Sequence, residues 1–254
     1  MHATVQKYID ELSADSRGRV SKHFEREVSE FALLSAKLVR TLQNFHALHP
    51  QSDAGNPRQV AFSLMTKGAN TLMAAFELIL TGYIGEAEVL LRNALERFAV
   101  AWDVVHNPDR FAAWKGGKKF DSTDSIARLK KELEPVGKLY GYLSNMHVHT
   151  TPLNSSPSML VVEGAPKFQF FGYLAPGKEH IPKGQVYFAL FCGYVLLQLT
   201  EIVFHAYSDG LETIEKIPGQ DLVRNVVSQR HQEFVAIGVA HFKLMAEDPA
   251  ATLE

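Results

Sequence analysis

Along this chain the apolar residues recur every three or four positions, and that spacing predicts helices over most of its length. Phe24, Val28, Phe31, Leu34, Leu38, Leu42 and Phe45 mark one stripe of a long helix over residues 16–49, preceded by a short amphipathic helix over 1–12. The tract PQSDAGNP is loop chemistry; it closes with Asn56 as N-cap and Pro57 at the first position of a third helix, which runs to Thr81. Gly82 and Gly85 bracket a turn, and a fourth helix over 86–106 stops at Asn107 and Pro108. The third and fourth helices should therefore form an antiparallel hairpin. On the fourth, Ala87, Leu91, Ala94, Leu95, Phe98 and Trp102 share one face, while Val89 and Val100 lie nearly opposite. Two apolar faces make a central helix, so Arg92, Asn93 and Glu96 must find partners or lie at a cleft.

A short helical turn over 108–114 leads into WKGGKKFDSTD, a locally basic loop carrying Lys115, Lys118 and Lys119. Ser122 or Thr123 should cap the surface helix that follows. Pro135 then opens the segment that carries KLYGYLSNMHVHTTP. Beyond it the period falls to two: residues 159–162 and 168–173, separated by EGAPK, read as the strands of a small hairpin. A Gly/Pro-rich connector leads to the most hydrophobic helix, 185–207, and a final amphipathic helix spans 220–247. The expected fold class is all-α, a multi-helix bundle with a small β-hairpin insertion around residues 158–174. No repeat divides the chain, which reads as one helical domain over 1–254: N-terminal helices (1–50), a central core (56–150), the insertion (155–182) and C-terminal helices (183–247).

Composition narrows the setting. A formal net charge of -2 supplies no global basic field, so a nucleic-acid partner would need a local patch. The single cysteine, Cys192, excludes an intrachain disulfide, suits a reducing cytosol and reads as a small core hydrophobe. The first residues lack the basic and apolar regions of a signal peptide. The longest apolar run, Val186 to Thr200, is shorter than the roughly 20 residues a membrane span needs. A cytoplasmic protein without membrane contact is expected.

Eleven histidines invite a metal site, yet there is no HExxH, no CxxC and no ExxH pair of the di-iron kind, so no metal is expected. Neither GxGxxG nor GxxxxGK[ST] occurs, and no cofactor is expected. Two clusters remain. Glu88, Arg92 and Glu96 follow one another at one-turn steps. They form either an intrahelical ladder, at a few tenths of a kcal/mol (about 0.2–0.5) per pair, or a guanidinium held by carboxylates and aimed at an anion. Tyr140, Tyr142, Ser144, His147 and His149 either close a helix end or bring a histidine that transfers protons near neutral pH.

The pairing of GYIGEAEVLLRNALE with YGYLSNMHVHTTP resembles a bacterial group within or near the HEPN superfamily: a glycine turn, EA, then LLR with a downstream Glu, and later a tyrosine followed by LS and a histidine. The resemblance covers roughly residues 64–151. It implies a helical bundle that often dimerises and metal-independent cleavage or binding of RNA in a defence or toxin setting, with RNA and a protein encoded nearby as partners. The usual signature of such ribonucleases is Arg, four to six residues, then His. RGRVSKH (Arg17 to His23) and RTLQNFH (Arg40 to His46) match it, but about one such match is expected by chance. No arginine stands shortly before His147 or His149. A catalytic site would have to assemble across helices from Arg92, Glu96, His147 and His149, with Tyr142, Ser144, Lys118 and Lys119 contacting substrate. A second reading makes these groups structural, in a non-catalytic interaction module that dimerises through an apolar helix face. A third is a small-ligand pocket near Phe168, Phe170, Phe171 and Tyr173.

Overall fold

Asn56 starts the central hairpin as its sequence requires. The computed structural model, which describes residues 2–48, 56–117, 121–147, 159–162, 165–168 and 180–205, shows its side chain accepting from the Arg58 N–H at 2.9 Å, with Pro57 at the next position. The helix so capped, α3 (Pro57–Thr81), ends where Gly82 adopts φ 92. There the Gly82 and Tyr83 N–H groups return to the carbonyls of Ile79 and Leu78 at 3.1 and 2.8 Å. Only two residues separate α3 from α4 (Ile84–His106), so the chain reverses and the helices pack along their length. α4 begins two residues earlier than expected, which places Gly85 inside its first turn.

Around this hairpin stand α1 (His2–His23), α2 (Glu25–Leu48), α5 (Pro108–Lys115), α6 (Ser122–Glu132), α7 (Glu134–His147) and α8 (His180–His205). α4 lies at the centre, touching α3, α5, α6, α7 and α8. Its Leu91, Leu95 and Phe98 are fully buried and share one apolar cluster with Leu38 of α2, Leu72 of α3, Leu129 of α6, Leu143 of α7 and Leu196 of α8. Each such side chain contributes about 1.5–3 kcal/mol of burial. On the other side of α4, Val100 and Val104 join Val60 in a smaller cluster, whereas Val89 is 46% exposed. The second apolar face is therefore confined to the C-terminal half of α4.

Close packing leaves no room for a side chain at two glycines. A Cβ at Gly68 would lie 2.6 Å from the Phe98 ring, and one at Gly193 would lie 2.4 Å from Leu34 Cδ2. Gly68→Val should cost about 1–3 kcal/mol in a thermal melt, because Phe98 is fully buried and has nowhere to move. An unchanged midpoint would show that the α3/α4 contact is looser than this.

Three expectations need correction. The first helix does not stop at residue 12: α1 runs through the Ser/Asp/Gly stretch to His23, and the break falls at Phe24. Tertiary contacts override local propensity there. Ser16, 3% exposed, donates to the Leu80 carbonyl at 3.3 Å, and Val20 and Phe24 are buried. At the start of α6 the cap is Asp121, whose carboxylate accepts from the Thr123 N–H at 2.9 Å, not Ser122 or Thr123. The third correction concerns the β-hairpin insertion around 158–174. The packed body is helical, which fits an all-α class, and among the described residues no strand packs into it. The short stretches Met159–Val162 and Ala165–Phe168 do lie antiparallel, Met159 opposite Phe168, but they pair only with each other. Four residues on each side, one of them Pro166, are too few for a stable independent element. Beyond Phe168, the expected second strand over 168–173 lies outside the described residues, as does the final helix over 220–247.

Candidate functional site

Val136, Leu139 and Leu143 recur at helical spacing and are buried, so one side of α7 is fixed against the core. Tyr140 stands beside that stripe and reaches α4. There, Arg92 Nε donates to Glu96 Oε1 at 2.9 Å, and Arg92 Nη2 donates to the Tyr140 hydroxyl oxygen at 3.0 Å. Tyr140 in turn donates its proton to Glu96 Oε1 at 3.1 Å. The guanidinium carbon also lies 5.1 Å from the centre of the Tyr140 ring, within cation–π range. Three side chains from two helices thus close a ring of hydrogen bonds.

The ring is partly sheltered: the Arg92 and Glu96 side chains are 23% and 19% exposed. Burial works against the charge on Arg92, but the hydrogen bond and charge of Glu96, with the hydrogen bond of Tyr140, outweigh it and hold the guanidinium above its usual pKa. Arg92 is a permanent cation at a water-reachable seam. Among the described residues it uses two of its five N–H donors, and Glu96 uses only Oε1. What remains is a set of donors beside a carboxylate oxygen, the equipment for gripping an anion and accepting a proton.

The sequence-derived site residues distribute unevenly around this ring. Arg92 and Glu96 are in it. Ser144 and His147 follow Tyr140 by four and seven positions, a spacing that sets the three positions along one side of α7. The Ser144 hydroxyl is buried with no hydrogen-bond partner among the described residues. For Tyr142 and His147 the structure gives the backbone within α7. His149, Lys118 and Lys119 lie outside the described residues, as do Phe170, Phe171 and Tyr173 of the small-ligand reading. The two Arg-to-His matches are used elsewhere: Arg17 pairs with Glu77 of α3 at 2.7 Å, and the His46 ring stacks on Phe62 with centroids 4.9 Å apart.

No family model, curated protein or solved structure matches the chain. The site therefore rests on its own geometry.

Two acidic residues carry more than the sequence suggested. Glu88, expected either as one rung of an intrahelical ladder or as a carboxylate holding Arg92, is 0% exposed, and Arg92 pairs with Glu96 at 2.9 Å. Its place between Ala87 and Leu91, both fully buried, was the available signal. Asp103, also 0% exposed, gathers four donors. Its Oδ1 accepts from Asn107 Nδ2 at 2.7 Å, and its Oδ2 from Ser125 Oγ at 2.7 Å, Arg110 Nε at 3.0 Å and Arg128 Nη1 at 3.4 Å. This knot ties the end of α4 to α5 and α6.

Among the described residues no group of three or more His, Cys, Asp or Glu side chains could hold a metal ion, and no helix is long and apolar enough to cross a membrane. Cys192 is fully buried, and burial pushes its thiol up to about 12. The thiolate is the reactive form. A thiol reagent at about pH 8 should leave the native chain unlabelled and react only on denaturation; labelling of the native chain at the denatured rate would contradict this burial.

Proposed function

We propose that the α4/α7 seam binds an RNA phosphodiester and that the chain is a cytosolic, HEPN-like protein that binds or cleaves RNA without a metal. The observation that carries this reading is Arg92: permanently charged, partly exposed, oriented by Glu96 and Tyr140, and, among the described residues, using two of its five N–H donors. In a cleavage reaction the guanidinium would neutralise the non-bridging phosphate oxygens, where charge grows in the transition state. Glu96, with Oε2 available, would take the proton of the ribose 2′-hydroxyl as that oxygen attacks phosphorus. His147, on the helix that carries Tyr140, would return a proton to the leaving 5′-oxygen.

The non-catalytic reading has one observation in its favour, the closure of Arg92, Glu96 and Tyr140 on one another, which would suffice as a clip between α4 and α7. Its dimer face has less support. The exposed large apolar side chains among the described residues are Leu33, Val89 and Trp114, on three different helices.

A binding titration separates the two. With fluorescent single-stranded RNA, Arg92→Ala should weaken affinity equally across sequences and lower the slope of log affinity against log salt by about 0.7, one phosphate contact on a single strand. Equal affinity and slope in wild type and variant would favour the clip.

A further inference from the structure

An arginine paired with a glutamate one turn away on the same helix is weakly held. Both side chains are long, and such a pair contributes little order by itself. Arg92 has a third contact of a different kind. Tyr140 has two side-chain torsions where Arg92 has four, and it projects from a helix whose Val136, Leu139 and Leu143 are locked in the core. Its hydroxyl accepts from Arg92 Nη2 and donates to Glu96 Oε1, while its ring lies against the guanidinium. The stiff partner constrains both flexible ones.

We infer that Tyr140 is the positioning residue of the α4/α7 site: it sets the direction in which Arg92 presents its free N–H donors and leaves Glu96 Oε2 as the oxygen open to substrate. This deepens the RNA reading and rests on it for substrate class. The site's third member then comes from the tyrosine side of α7, and Tyr140 acts through Arg92 and Glu96 instead of touching the reacting atoms. Because the contact crosses helices, any movement of α7 against α4 would also redirect Arg92.

The substitution that isolates this role is Tyr140→Phe, which keeps the ring and loses both hydrogen bonds. Nitrogen-15 NMR of the Arg92 Nε–H group reads the effect without any RNA. In the variant, exchange of that proton with solvent should speed up about tenfold: Glu96 Oε1 still accepts it, but the pair loses the stiff partner that held both side chains in register. The melting midpoint and exchange of backbone amides in α3 should stay near wild type. RNA affinity, measured in parallel, should fall in Tyr140→Phe, and adding Tyr140→Phe to Arg92→Ala should lower it no further. Unchanged Arg92 exchange in Tyr140→Phe would overturn the positioning role, whatever RNA does. If the wild type fails to bind RNA while Arg92 exchange still accelerates, the RNA reading falls and Tyr140 stands as the residue that orients Arg92.

Discussion

Asp103→Ala should destabilise the protein by about 3–5 kcal/mol, the cost of removing one partner from a buried, hydrogen-bonded charge group. Four donors converge on this carboxylate, and of these Arg128, 38% exposed, is the one placed to turn to water. Ser125 is fully buried, and the Arg110 side chain is 20% exposed. Without Asp103 the Arg110 and Arg128 guanidiniums lose the Oδ2 they share, while Asp124 stays 3.6 Å from Arg110. α5 contributes no fully buried residue of its own and is held by this knot together with Phe111, which packs against the Val60, Val100 and Val104 cluster. Urea unfolding followed by circular dichroism reads the loss. Asp103→Asn should cost less, since one carbonyl oxygen still accepts, but its amide would face a guanidinium. A loss below about 1 kcal/mol for Asp103→Ala would mean the knot is no more than surface pairing.

Arg92→Ala should reduce RNA cleavage by about 100- to 1000-fold, the usual effect of deleting one donor that stabilises a developing oxyanion. The same change should barely touch stability. Arg92 lies at the rim of the seam, its pair with Glu96 is an i,i+4 contact, and α7 stays seated through Leu139 and Leu143. That contrast distinguishes Arg92 from Asp103: one position should cost activity and the other the fold. Arg92→Lys should recover only part of the loss. A lysine keeps the charge but cannot serve Glu96 and Tyr140 with a planar fork at the same time.

The helical plan was legible because it depends on local rules. Asn56, Pro57, Gly82, Asn107 and Pro108 start and stop helices by their own chemistry, and the structure uses each of them so. The α1/α2 boundary was not legible. Ser13, Ser16 and Gly18 signal a loop locally, but packing of Ser16 and Val20 against the rest of the bundle decides otherwise, and that packing is long-range. The expected hairpin failed for a related reason: period-two spacing is easily met over four residues, and it says nothing of whether a core waits to receive one face. At the site, Arg92 and Glu96 were legible from their one-turn spacing on a helix with two apolar sides. Tyr140 as their partner was not, since 44 residues separate it from Glu96 and only the folded contact of α7 with α4 joins them. Asp103 was hidden in the same way, because Ser125 and Arg128 reach it from another helix.

The most direct test of the seam as an RNA site is cleavage of a mixed pool of structured and single-stranded RNA by the full chain in excess EDTA, beside a folded Arg92→Ala variant. Cutting by the wild type, with loss of about two orders of magnitude or more in the variant, is the predicted result. No cutting by either protein, or equal cutting by both, would contradict it and leave Arg92, Glu96 and Tyr140 as a clasp between two helices.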